Sequence, residues 1–77
     1  MSFGEEIMEI RYSLLLSQEA LASQLGLAYG TVSRWENGKS LPSLSTMGTL
    51  LKYCEKNGID KDAVLRSWKE EQKKGRV

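Results

Sequence analysis

The sequence predicts an all-α fold, a single compact bundle of five short helices, on three observations. Apolar residues recur at spacings of three and four through most of the chain, as on helices with one buried stripe. Residues that cap or terminate helices punctuate these stretches: Ser17, Ser43 and Asp60 before them, Gly26, Gly38 and the pair Asn57-Gly58 after them. No stretch alternates apolar and polar residues as a strand does, and neither a repeat nor a linker divides the 77 residues into domains. A chain of this length lies near the size at which one core becomes marginal, which favours a small module over a deep catalytic pocket.

Phe3, Ile7, Ile10 and Leu14 follow at spacings of four, three and four, which sets the first helix over about residues 3–15. Ser17 reads as the N-cap of a second helix over residues 18–25. Its hydroxyl can accept from the free amides of the next turn, Glu19 suits the positive helix end, and Leu16 and Leu21 occupy the staple positions. Gly26 ends that helix, because a left-handed residue costs glycine nothing. A third helix is expected from about residue 28 to 36 or 37, closed by Gly38. After the loop GKSLPS, which holds the one proline, Ser43 caps a fourth helix with the stripe Leu44, Met47, Leu51 and Cys54. Ile59 and Asp60 repeat the staple and cap, so a fifth helix starts at Lys61 and carries Val64, Leu65 and Trp68 on one side. Trp68 has two readings, core closure or a partner-facing surface. Residues 69–77, KEEQKKGRV, are polar all round and read as a fraying tail, with Lys69, Lys73, Lys74 and Arg76 either solvated or bound to phosphate.

Composition narrows the function. Without histidine there is no plausible zinc set and no serine-histidine or cysteine-histidine pair, so no enzyme, metal or cofactor is expected. Cys54 has no internal disulfide partner and reads as a small buried apolar residue, which fits a reducing, cytoplasmic setting. No apolar run approaches the roughly 18 residues of a membrane span, and the opening MSFGEEIMEIR is acidic where a signal peptide is basic. Residues 1–40 carry a net charge of −2 and residues 41–77 a net of +3, for +1 in all. That is not the footprint of a protein that clings to any nucleic acid.

The stretch LAYGTVSRWENGK, residues 27–39, carries the chemistry. On a wheel of 100° per residue Tyr29, Ser33, Asn37, Gly30 and Arg34 fall within about 140°, opposite Ala28, Val32 and Trp35. A solvated surface accounts for the polar side chains but not for Gly30, which costs a helix interior about 1 kcal/mol relative to alanine. The turn between helices two and three is short, with small Ala22 and Gly26 at the contact and Leu21, Leu25, Val32 and Trp35 beneath. This is a helix-turn-helix, whose second helix enters the major groove of DNA.

At these residues the chain resembles a known family. LSQEALASQLGLAYGTVSRWENGKSLPSL, residues 16–44, is similar to the phage-repressor and Cro-like helix-turn-helix proteins, also described as xenobiotic-response-element regulators. The likeness rests on serine-glutamine-glutamate at the second helix start, alanine and glycine four apart, threonine-valine-serine, tryptophan-glutamate-asparagine-glycine, and proline-serine-leucine. It covers about residues 5–58, and the lambda-repressor-like fold it implies is a five-helix bundle. The resemblance further implies base or nearby backbone contacts from Tyr29, Gly30, Ser33 and Arg34. It implies phosphate contacts from Gln18, Thr31, Asn37 and Lys39, and a structural pair of Arg11 with Glu36, with a second role for Arg11 near phosphate. Physics agrees on the arginine, whose fork matches guanine O6 and N7. Two residues depart from the family pattern: Ala28 replaces the serine or threonine that caps the third helix, and Leu15 replaces a glycine, which leaves an apolar side chain exposed.

The expected function is that of a sequence-specific regulator of transcription, a repressor, bound to double-stranded DNA as a homodimer on an inverted repeat. Val64, Leu65 and Trp68 are the dimer candidates, extended by Tyr53 or Leu50. The alternative is a protein-interaction module on the same fold, such as an antitoxin or a bridging factor, which near-neutral charge favours.

Overall fold

The computed structural model describes residues 1–74 and consists of five helices, α1 (Phe3–Leu14), α2 (Gln18–Gln24), α3 (Thr31–Glu36), α4 (Leu44–Lys56) and α5 (Lys61–Lys74). Serines start three of them. Ser2 and Glu5 form a reciprocal capping box on α1, Ser17 accepts from the Ala20 amide on α2, and Ser43 accepts from the Thr46 amide on α4. One apolar face per helix meets in a core of Phe3, Ile7, Ile10, Leu21, Ala22, Leu25, Val32, Trp35, Met47, Leu50, Cys54 and Val64. Phe3 meets Trp35 edge to face, with ring centroids 5.9 Å apart. Through this core α1 packs on α3 and α5, α2 on α3, and α4 on α5.

α1 and α3 approach closely at Gly4. A Cβ there would stand 2.8 Å from the Trp35 carbonyl oxygen and 2.9 Å from that of Glu36, so only glycine lets the first turn of α1 reach the last turn of α3.

The structure corrects four sequence expectations. α3 begins at Thr31 rather than near residue 28, because Gly30 at its N-cap adopts φ 87, a left-handed conformation that no helix interior holds. The Thr31 amide donates to the Ala28 carbonyl at 3.2 Å, so Ala28, Tyr29 and Gly30 form a turn ahead of the helix. On α4, Leu44 is exposed and Leu50 buried, which moves the stripe to Met47, Leu50 and Cys54 with Leu51 at its edge. The third correction concerns the tail: α5 continues to Lys74. Glu71 accepts from the Phe3 amide at 2.5 Å, so the polar run is anchored by a carboxylate at the positive end of α1. Apolar periodicity is blind to such an anchor. Gly75, Arg76 and Val77 of the expected tail lie outside the described residues. Finally, Val64 is 1% exposed and belongs to the core, as does Leu50, so neither is available to a partner.

Leu15 closes α1 at φ 57 and ψ 43, with its side chain 91% exposed. Its amide donates to the carbonyls of Arg11 and Tyr12, which is helix closure of the kind glycine usually performs.

Candidate nucleic-acid interface

Two neighbouring features surround α3. The first is a largely buried polar network. Arg11 Nε donates to Glu36 Oε2 at 2.6 Å, Arg11 Nη2 to Glu36 Oε1 at 2.9 Å, and Gln18 Nε2 to the same Oε1 at 3.0 Å. Arg11 Nη1 also donates to the Leu16 carbonyl at 3.1 Å. The two charged side chains are 12% and 5% exposed. Hydrogen bonding to Glu36 raises the Arg11 pKa above its ordinary range, with the carboxylate's charge adding to the effect. One carboxylate thus ties the body of α1 and the start of α2 to the end of α3, and the guanidinium also lies over the Tyr12 ring, 4.9 Å from its centroid.

The second feature is a shallow concavity of about 340 Å³ on the outer side, lined by Gln18, Glu19, Tyr29, Gly30, Ser33 and Arg34. Five of these six were singled out from the sequence. Tyr29 is 78% exposed and Arg34 is exposed, while Gln18, Gly30 and Ser33 are half-buried. Arg34 Nη2 donates to the Thr31 hydroxyl at 3.2 Å, so the guanidinium is held by its own helix one turn back. That leaves the Thr31 O–H as a donor. Asn37 Nδ2 donates to the Ser33 carbonyl at 2.9 Å and to its hydroxyl at 3.3 Å, closing the helix C-terminally. Gln18 keeps a second N–H on the nitrogen that serves Glu36. The structure therefore gathers Gln18, Tyr29, Gly30, Ser33 and Arg34 at one surface, with Thr31 and Asn37 bonded to members of it. Lys39 stands apart, on a neighbouring groove.

Gly30 has a different reason from the one its sequence position suggests. The sequence reads it as a costly glycine inside the helix; it stands instead at the N-cap, where its left-handed backbone requires glycine, and an added Cβ would also lie 3.4 Å from Arg34 Nη1. Sequence reasoning missed Glu19 as a member of the surface. Its place beside Gln18 on the first turn of α2 was the available signal.

Elsewhere, Trp68 is half-buried and donates its indole N–H to the Pro42 carbonyl at 2.9 Å. Its ring lines a groove of about 350 Å³ with Ser43, Leu44, Lys69, Gln72 and Lys73. Leu65 is half-buried, and the Tyr53 hydroxyl donates to Gln24 Oε1. Among the described residues no helix is long and apolar enough to cross a membrane.

Residues 7–59 match a family described as helix-turn-helix. The chain is 34% identical over 53 residues to the HTH-type transcriptional activator BcrR of Enterococcus faecalis, covering 69% of this chain and 26% of that protein. It is 38% identical over 50 residues to Repressor protein C of Escherichia phage P2, covering 65% of this chain and 50% of that protein. The match therefore spans half the length of one curated relative and about a quarter of the other. No solved structure matches the chain.

Proposed function

Because the chain belongs to the helix-turn-helix family, we propose that it is a regulator of transcription that reads double-stranded DNA in the major groove with α3. The observation that carries this reading is the convergence of Gln18, Tyr29, Ser33 and Arg34 on one exposed surface, backed by the buried Arg11–Glu36 pair that fixes the helix from behind. In this reading Arg34 meets a base edge with its fork, Tyr29 packs on a thymine methyl or bonds a phosphate, and Ser33 reaches a base or the backbone beside it. Gln18, Thr31, Asn37 and Lys39 donate to phosphates, which set position rather than sequence.

A net charge of +1 gives little non-specific attraction, and one helix reads only a few base pairs. We therefore take the working form as a homodimer on an inverted repeat, its recognition helices about 34 Å apart, and its action as repression by occupancy in the cytoplasm. Leu65 and Trp68 remain as dimer candidates, with Tyr53 at the margin.

Selection of bound sequences from random duplex DNA tests the reading, followed by Arg34→Ala on the selected site. The variant is expected to lose about 1–3 kcal/mol of specific binding and to relax preference at one base pair per half-site. Equal weakening on all sequences would make Arg34 a phosphate contact. No enrichment from the random pool would favour a protein-interaction module instead.

A further inference from the structure

The lysines of the α5 extension gain a defined neighbour in the fold. The last turns of α5 face the loop that leaves α3, and the two enclose a groove of about 420 Å³ lined by Gly38, Lys39, Ser40, Leu41, Glu71, Gln72 and Lys74. We propose that Lys39 and Lys74 form a two-sided clamp on the DNA backbone, which extends the interface beyond the helix-turn-helix onto α5. The proposal rests on the reading that α3 enters the major groove.

Three observations lead there. Both lysines are exposed, and the ion pairs among the described residues are Arg11–Glu36 and Lys61–Glu55, so neither ammonium lies within 4 Å of a described carboxylate. Glu71, the carboxylate in the groove lining, is engaged with the Phe3 amide and answers the positive end of α1. Two cations thus border a groove whose one lining carboxylate is hydrogen-bonded elsewhere and offsets only part of their charge, so an anion between them is attracted. The neutral lining supplies further donors from the Ser40 hydroxyl and the Gln72 amide.

The position selects the anion. The loop starts directly after Asn37, the C-cap of α3. A helix seated in the major groove has a sugar-phosphate strand along each side, and the segment that leaves the helix meets one of them. That strand offers the regularly spaced phosphates that two ammonium groups can share.

Counterion release makes the clamp measurable. Each phosphate neutralised contributes about −0.9 to the slope of log K against log salt. Fluorescence anisotropy with a mixed-sequence duplex of about 20 base pairs, and with the selected site, would follow binding from about 50 to 200 mM salt. Lys74→Gln and Lys39→Gln are each expected to make the slope shallower by about 0.9. Across that range wild type then loses about 3.5-fold more affinity than either variant. The double variant should shift by about twice as much, and Lys52→Gln, on the exposed side of α4, should not shift it. Thermal melts by circular dichroism should leave all four variants folded, since the three side chains are exposed. A slope unchanged by Lys74→Gln but lowered by Lys39→Gln would overturn the clamp and leave the α3 reading in place. An equal shift in Lys52→Gln would reduce the effect to net charge and also overturn it. Failure of wild type to bind either duplex at any salt would overturn the α3 reading itself.

Discussion

Glu36 is the single side chain whose removal should disturb the most. Its carboxylate, 5% exposed, accepts from Arg11 twice and from Gln18 once, so Arg11→Ala leaves a buried charge with one neutral donor. An exposed ion pair contributes under about 1 kcal/mol, but a buried carboxylate deprived of its partner costs about 3–5 kcal/mol. A domain of this length is stable by about 4–12 kcal/mol, so the loss is about a quarter or more of the total. Glu36→Ala should cost a similar amount, since it strands a guanidinium 12% exposed. The double variant strands neither charge and should be less destabilised than the sum by about 2 kcal/mol or more. Urea unfolding of wild type, the two single variants and the double variant, fitted with a common m-value, yields that coupling directly. Additivity within about 0.5 kcal/mol would mean the two side chains act independently, and the account of how α3 is held would fall.

Gly4→Ala should lower stability by about 1–2 kcal/mol, because the clash with the Trp35 and Glu36 carbonyls exceeds the helix propensity that alanine gains; a melting temperature at or above wild type would refute the close approach. Leu15→Gly should raise stability by about 0.5–1 kcal/mol, since it removes left-handed strain while losing almost no burial. No gain in a urea series would refute that strain. Burial pushes the Cys54 thiol up to about 11, so alkylation of the native protein at pH 8 should proceed only through unfolding and slow as stability rises across these variants. Labelling at the rate of a free thiol would contradict its burial.

Much of the fold follows from local signals that tertiary contacts do not override. Ser17, Ser43 and Gly26 act as their residue types prescribe, and the heptad-like run from Phe3 to Ile10 is buried as its period requires. The start of α3 was misplaced because Ala28 and Tyr29 are helix-compatible residues, and nothing local indicates that Gly30 takes positive φ. The reach of α5 was hidden for another reason. What holds residues 69–74 is a bond from Glu71 to a backbone amide 68 positions away, which no window of sequence contains. On the candidate surface, spacing along one helix is enough to bring Ser33 and Arg34 together, with Asn37 bonded to Ser33 beside them. Gln18 joins them by family likeness, and Glu19 becomes visible only when α2 is placed beside α3; the sequence offers Lys74 as solvated or phosphate-bound, and only the packing of α5 sets it across a groove from Lys39.

Trp68 bears on the proposed dimer in a way that neither of its sequence readings captured. An indole brought to an interface must satisfy its N–H, and here the Pro42 carbonyl already does so within the chain. A second copy need offer no acceptor, only apolar contact to the ring and to Leu44, which is 77% exposed at the same groove. With Val64 and Leu50 taken into the core, the apolar contact at that groove is Leu44 and Trp68, flanked by Lys69 and Lys73, with Leu65 one turn back on α5. Two copies facing each other across a two-fold axis would bring these lysines into one neighbourhood, where they repel. A small apolar contact opposed by like charge favours weak association in free solution, whereas binding on adjacent half-sites supplies proximity and phosphate charge together. On this argument the dimer forms mainly on its operator. Sedimentation should then find monomer without DNA and two chains per operator duplex at saturation, with Trp68→Leu reducing cooperativity more than single half-site affinity. One chain per full operator would refute it.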